Sequence, residues 1–230
     1  DQDGNPTPES RPQRRAFELA LHLASDEESP LLNCIQFQKP PGRRSPSHIV
    51  IKTKNWIEST RKWFRPGLFG VYNDSSTDDY FEDEVLNFFI AFKNTCNQWE
   101  DGSLRWLTGQ GGGKQLFQFE SPFLALLNTL PFCVNKLKAE DENISRPLSV
   151  EKFEDILSPL QNVDWKSPSL MRSNLKGRTN QSTRHLKLWV SEAIEHGVQY
   201  DENETLDSEL ESMPGRGLLA RPAAQEITVV

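Results

Sequence analysis

The chain has 230 residues, a formal net charge of −7 and a hydrophobic share of 36%, with 15 Pro and 13 Gly. That share is low for a compact globule, but six Trp and thirteen Phe exclude general disorder, so a core wrapped in polar insertions is expected. No apolar run approaches the roughly 18 residues of a spanning helix, so no membrane segment is expected.

There is no signal peptide, and the first residue is Asp1 rather than Met. The chain therefore reads as an excised or processed fragment of a cytoplasmic protein. Cys34, Cys96 and Cys133 are odd in number, far apart and without metal-ligand spacing. They read as reduced core residues.

Residues 1–13 are polar and Pro-bearing, a linker ahead of one mostly helical domain over 14–197. Arg14 to Ser25 reads as an amphipathic helix with Phe17, Leu19, Ala20, Leu21, Leu23 and Ala24 as apolar members. Ser29-Pro30 ends that segment, because proline pushes the preceding residue towards extended backbone. Leu31–Phe37 and His48–Ile51 are β-prone runs joined by a Pro/Gly/Arg/Ser loop, which predicts an antiparallel hairpin with a long tip. Asn55 to Phe64 follows as a short helix carrying Trp56, Ile57 and Trp63, broken at Pro66-Gly67.

The chain is organised around Thr77 to Trp99. Phe81, Val85, Phe88, Phe89, Phe92, Cys96 and Trp99 recur three or four residues apart and line one helical face. Asp78, Asp79, Glu82, Asp83 and Glu84 crowd its first turns, where the helix dipole favours negative charge. Ser121-Pro122 opens the next helix, whose body Phe123–Leu130 is apolar nearly all round, and Pro131 is expected to interrupt or kink it before Cys133–Leu137. Residues 138–147 form a charged connection, Ser149–Leu157 a modest helix and Ser182–His196 the last helix. Residues 198–230 form an acidic tail, with six acids and no base from Asp201 to Glu211, predicted to be disordered or loosely attached. The expected fold class is α+β, predominantly α-helical with a small antiparallel β-hairpin.

No spacing supports a catalytic site. In the run Gly109-Gln110-Gly111-Gly112-Gly113-Lys114, one residue too few precedes Gly113-Lys114 for a Walker A loop, and Gln115 replaces the hydroxyl. The histidines His22, His48, His185 and His196 form no metal pair, and no cofactor is expected. Charge distribution says more. From Lys39 to Arg65 eight bases face the single acid Glu58, and from Lys166 to His196 six bases face Glu192 and Glu195. Such bipolarity can give a phosphate-binding face despite a negative total. The candidate nucleic-acid contacts are Arg43, Arg44, Lys52, Lys54, Arg61, Lys62 and Arg65. Trp56, Trp63 and Phe64 interleave this run; either they stack on bases, or they are core and the bases are solvated surface.

Several stretches in order resemble the later portion of DGQHR-domain proteins, a group that includes regulators of DNA phosphorothioation near the ParB/sulfiredoxin-like superfamily. They are Ser29-Pro30-Leu31-Leu32-Asn33-Cys34-Ile35, the strand at His48–Ile51 and the acidic-start helix ending in Asn97-Gln98-Trp99. Leu107-Thr108-Gly109 before the Phe123–Leu130 helix, then Val163-Asp164-Trp165, a Gly177-containing loop and Thr183–Ile194 complete the pattern. The Asp-Gly-Gln-His-Arg signature itself is absent, so none of its residues transfers. The resemblance implies the C-terminal part of a non-enzymatic, DNA-associated prokaryotic protein acting in transcription regulation or antiviral defence. The alternatives are a protein-interaction scaffold that binds no nucleic acid, and an accessory part of a nuclease or nucleotide-processing system whose active site lies upstream.

Overall fold

The computed structural model describes residues 10–37, 49–95, 120–161, 190–196, 198–200 and 220–222. Helix α1 spans Ser10–Ser25, one turn longer at its start than the apolar pattern indicates. Pro12 fits that first turn because the N–H it lacks would have no intrahelical partner. Ala16, Leu19, Ala20 and Leu23 are buried, whereas Phe17 and Leu21 face outward.

Strand β1 (Ile35–Gln36) pairs with β2 (Ile51–Lys52) in register Ile35 with Ile51 and Gln36 with Lys52. The pairing is parallel, which corrects the expected antiparallel hairpin. Turn-forming composition between two strands suggests a hairpin, but a parallel pair needs only a connection of about a dozen residues or more. The intervening chain meets that length. Its composition does not say in which direction it returns.

Helix α2 (Thr53–Thr60) runs directly from β2 and tightens into a 3-10 turn, Arg61–Phe64. Helix α3 covers Phe81–Thr95, within the predicted Thr77–Trp99; Cys96 and Trp99 lie outside the described residues. Helices α4 (Glu120–Leu127) and α5 (Leu130–Glu140) follow, separated at Asn128-Thr129. Pro131 thus sits in the first turn of α5 and starts that helix instead of kinking a longer one. Helix α6 is Val150–Leu157, and its N-cap Ser149 accepts from the Lys152 N–H at 3.4 Å. Residues 190–196 are helical. In the C-terminal stretch, β3 (Val198–Tyr200) pairs antiparallel with β4 (Ala220–Pro222).

The core closes on α3, whose burial includes Phe81, Val85, Phe88, Phe89 and Phe92. Phe88 meets Phe153 of α6 edge-on at 5.5 Å. Phe89 stacks on Phe123 of α4 at 6.0 Å, and both rings flank Trp56 of α2. The Trp56 indole N–H donates to the Ala16 carbonyl of α1 at 2.9 Å, tying α1 and α2 to the same cluster. Substituting Phe89→Ala removes the ring common to α3, α4 and α2. It is expected to cost about 3–5 kcal/mol, as large-to-small core changes do. Urea denaturation measures this, and a loss no larger than that of an exposed Glu27→Ala control contradicts the assignment.

Candidate nucleic-acid interface

The α2 segment has two faces set by helical spacing. Trp56, Thr60, Trp63 and Phe64 are buried. Lys54, Glu58, Arg61 and Arg65 recur at steps of three or four on the other side, with Lys54, Glu58 and Arg65 exposed and Arg61 half-buried. Lys52 is exposed at the end of β2. This resolves the alternative left open for the aromatics: Trp56, Trp63 and Phe64 are core, and none offers a ring face to a base.

The predicted site residues therefore divide. Arg43 and Arg44 lie outside the described residues. Lys52 ends β2, Lys54 lies in α2, Arg61 opens the 3-10 turn and Arg65 is the extended residue that follows it. Lys54 lies 3.9 Å from Glu58, an exposed pair of the kind that contributes little. No ion pair holds Lys52, Arg61 or Arg65 among the described residues. Glu120 of α4 abuts the same side, where one of its carboxylate oxygens accepts from the Lys52 backbone N–H at 3.3 Å and from Asn55 Nδ2 at 2.7 Å. Lys62 faces inward: its ammonium donates to Asn128 Oδ1 and lies 4.8 Å from the Phe69 ring centroid. It joins α2 to the end of α4 and serves the fold.

The strongest electrostatics are elsewhere and internal. Glu84 of α3 has no solvent exposure. It accepts from Tyr72 Oη at 2.8 Å, from Arg146 Nε at 2.6 Å, from Arg146 Nη2 and from the Leu148 backbone N–H at 2.9 Å. Burial lowers the Arg146 pKa, but the hydrogen bonds and charge of Glu84 outweigh it, and the net direction is upward. Burial, followed by the Glu84 charge, pushes the Tyr72 phenol well above its ordinary value. Nearby, Arg15 of α1 lies against both Phe64 and Phe81, which meet edge-on, with its guanidinium 4.6 and 4.7 Å from the two ring centroids. It donates to the Tyr72 carbonyl at 2.8 Å and to Thr77 Oγ1 at 3.2 Å, and it pairs with Asp78. Desolvation draws its pKa down despite Asp78.

Sequence reading missed this network, because Glu84 stands among Glu82 and Asp83 in a run that suits a solvated helix start. Only its position in register with Phe81, Val85 and Phe88 separates it from them. Every oxygen of Glu84 is occupied, so the cluster is a structural lock with no room for a ligand. Among the described residues, no group of His, Cys, Asp and Glu is arranged to hold a metal, and no helix is long and apolar enough to cross a membrane. No family model, no curated protein and no solved structure matches the chain.

Glu84→Ala leaves Arg146 buried without its carboxylate and is expected to cost about 3–5 kcal/mol in urea denaturation. A cost below about 1 kcal/mol means that water or another acid replaces Glu84. The thiols give a second check. Burial pushes Cys34 up to about 11 and Cys133 up to about 12, and both are free. At pH 8 roughly one Cys34 in a thousand is thiolate, so in the native state no more than one of the three cysteines is expected to react quickly with an aromatic disulfide reagent. All three react after denaturation. The folded chain holds these protons more tightly than the unfolded chain. Their contribution to stability is therefore complete below the ordinary thiol range and falls as pH rises from there through about 11.

Proposed function

We propose that this chain is a non-enzymatic, nucleic-acid-associated module that holds phosphates on the outer face of α2, as part of a DNA-associated regulatory or defence protein. One observation carries the reading. Lys52, Lys54, Arg61 and Arg65 lie along a segment whose Trp56, Trp63 and Phe64 are committed to the core, with the acids Glu58 and Glu120 beside them among the described residues. Cations already outside the core can meet phosphates without exposing any of it. The resemblance to DGQHR-domain proteins adds the DNA context. With Trp56, Trp63 and Phe64 buried, recognition through this face is electrostatic and independent of base sequence.

Four phosphate contacts imply a log–log dependence of affinity on salt with a slope of about −3 to −4. The triple substitution Lys54→Ala, Arg61→Ala, Arg65→Ala is expected to reduce that slope by about 2–3 while the melting temperature stays near wild type. Fluorescence anisotropy with a short DNA duplex at low and moderate salt measures both. Absence of salt-dependent binding by the wild-type chain sinks the reading. The protein-interaction scaffold then takes over, supported by the exposed side chains Phe17, Leu21, Leu32 and Phe37, with Phe17 edge-on to Phe37 at 6.0 Å.

A further inference from the structure

Immediately after the basic face the chain makes a tight loop, Pro66-Gly67-Leu68-Phe69-Gly70, and Leu68 is 79% exposed at its tip. Single exposed leucines are ordinary on protein surfaces. This one differs in how firmly its backbone is held. The Gly70 N–H donates to the Gly67 carbonyl at 2.9 Å, and the Tyr72 N–H donates to the Trp63 carbonyl at 2.8 Å, closing the loop at its base. Gly67 adopts φ +126°, and a Cβ on Gly70 would lie 1.9 Å from the Arg65 carbonyl oxygen, so the chain doubles back as only glycine permits. Asn135 Nδ2 of α5 donates to the Leu68 carbonyl itself at 3.3 Å, and Phe69 is held beneath the Lys62 ammonium. The loop is a built support that holds Phe69 against Lys62 and leaves the Leu68 side chain exposed, with Arg61 and Arg65 just before it in the chain.

We infer that Leu68 is an apolar wedge that enters a base step of bound duplex DNA while Arg61 and Arg65 hold the adjoining phosphates. The inference rests on the phosphate-binding reading of α2 and adds a contact that reading lacks. Proteins that kink DNA insert one leucine, phenylalanine or proline between base pairs and offset the unstacking cost with contacts to the backbone. A fixed backbone loses little freedom when its tip inserts. A bilayer fits less well. Interfacial binding needs a broad apolar face, whereas here Arg65, Pro66 and Gly67 flank one leucine.

The test uses the full chain and a short duplex carrying 2-aminopurine at a central TA step, which unstacks readily. Wild type is expected to raise the 2-aminopurine fluorescence on binding. Leu68→Ala is expected to bind about tenfold more weakly, the loss of a few buried methylene equivalents, with an unchanged salt slope and no fluorescence rise. Leu68→Phe is expected to keep the rise, and Arg65→Ala to lower the salt slope instead. Because Leu68 is 79% exposed, its variants should melt near wild type. Salt-dependent duplex binding by wild type without any fluorescence rise overturns the wedge and leaves the phosphate reading standing. No binding at low salt overturns both. Leu68-dependent binding to phosphatidylglycerol/phosphatidylcholine vesicles, with no effect of Leu68 on the duplex, also overturns the wedge and makes the tip a bilayer contact.

Discussion

The ring cluster of Phe89, Phe123 and Trp56 is the constraint on which the described fold depends. It is the place where α2, α3 and α4 meet, and through the Trp56 indole N–H it reaches the backbone of α1. Three large rings in mutual contact bury much apolar area and also fix orientation, since tilted and offset rings pack in few ways. Once α2 is turned inward by Trp56, its opposite face can only be the surface. The basic residues are displayed as a consequence of core packing.

A second constraint keeps α3 in place along its length. Glu84 and Arg15 are charges taken from water, and each is tolerated because hydrogen bonds and opposite charge replace its hydration. Both contact Tyr72, Glu84 through the phenol and Arg15 through the carbonyl. The loop carrying Tyr72 is therefore clamped between α1 and α3. The same loop begins at Gly67-Leu68, so its tip is held at one end by the aromatic core and at the other by this polar lock. Buried charge here specifies geometry, and the exposed charge of α2 is left to act outward.

Net charge does not say which charges are solvated: in a chain of −7 some bases are exposed and others are taken into the fold. Lys62 and Arg65 are three residues apart, yet Lys62 joins α2 to α4 through Asn128 and Arg65 stays in solvent. Counting bases along the run treats them as equal. Lys52, Lys54 and Arg65 are exposed and Arg61 is half-buried, whereas Lys62 is tied into the fold.

Periodicity determined the α3 stripe from Phe81 to Phe92 and the burial of Leu19, Ala20 and Leu23, though not the outward turn of Phe17 and Leu21. Apolar neighbours indicated the core position of Cys34 and Cys133, and Pro30 and Pro66-Gly67 marked breaks. These are local consequences of side-chain spacing and of backbone restrictions at proline and glycine. The direction of β2 relative to β1 was not legible, because a Pro/Gly-rich connection of that length serves a hairpin or a crossover equally. Nor was the choice between stacking and burial for Trp56, Trp63 and Phe64, since an indole ring has the same composition in either place. Glu84 and Lys62 were misread for one reason: whether a charged side chain is solvated depends on partners such as Arg146 and Asn128, more than sixty residues away. Such partners are brought near only by the packing of α3, α4 and the chain before α6, so tertiary structure decided which charges are internal and which are free to bind.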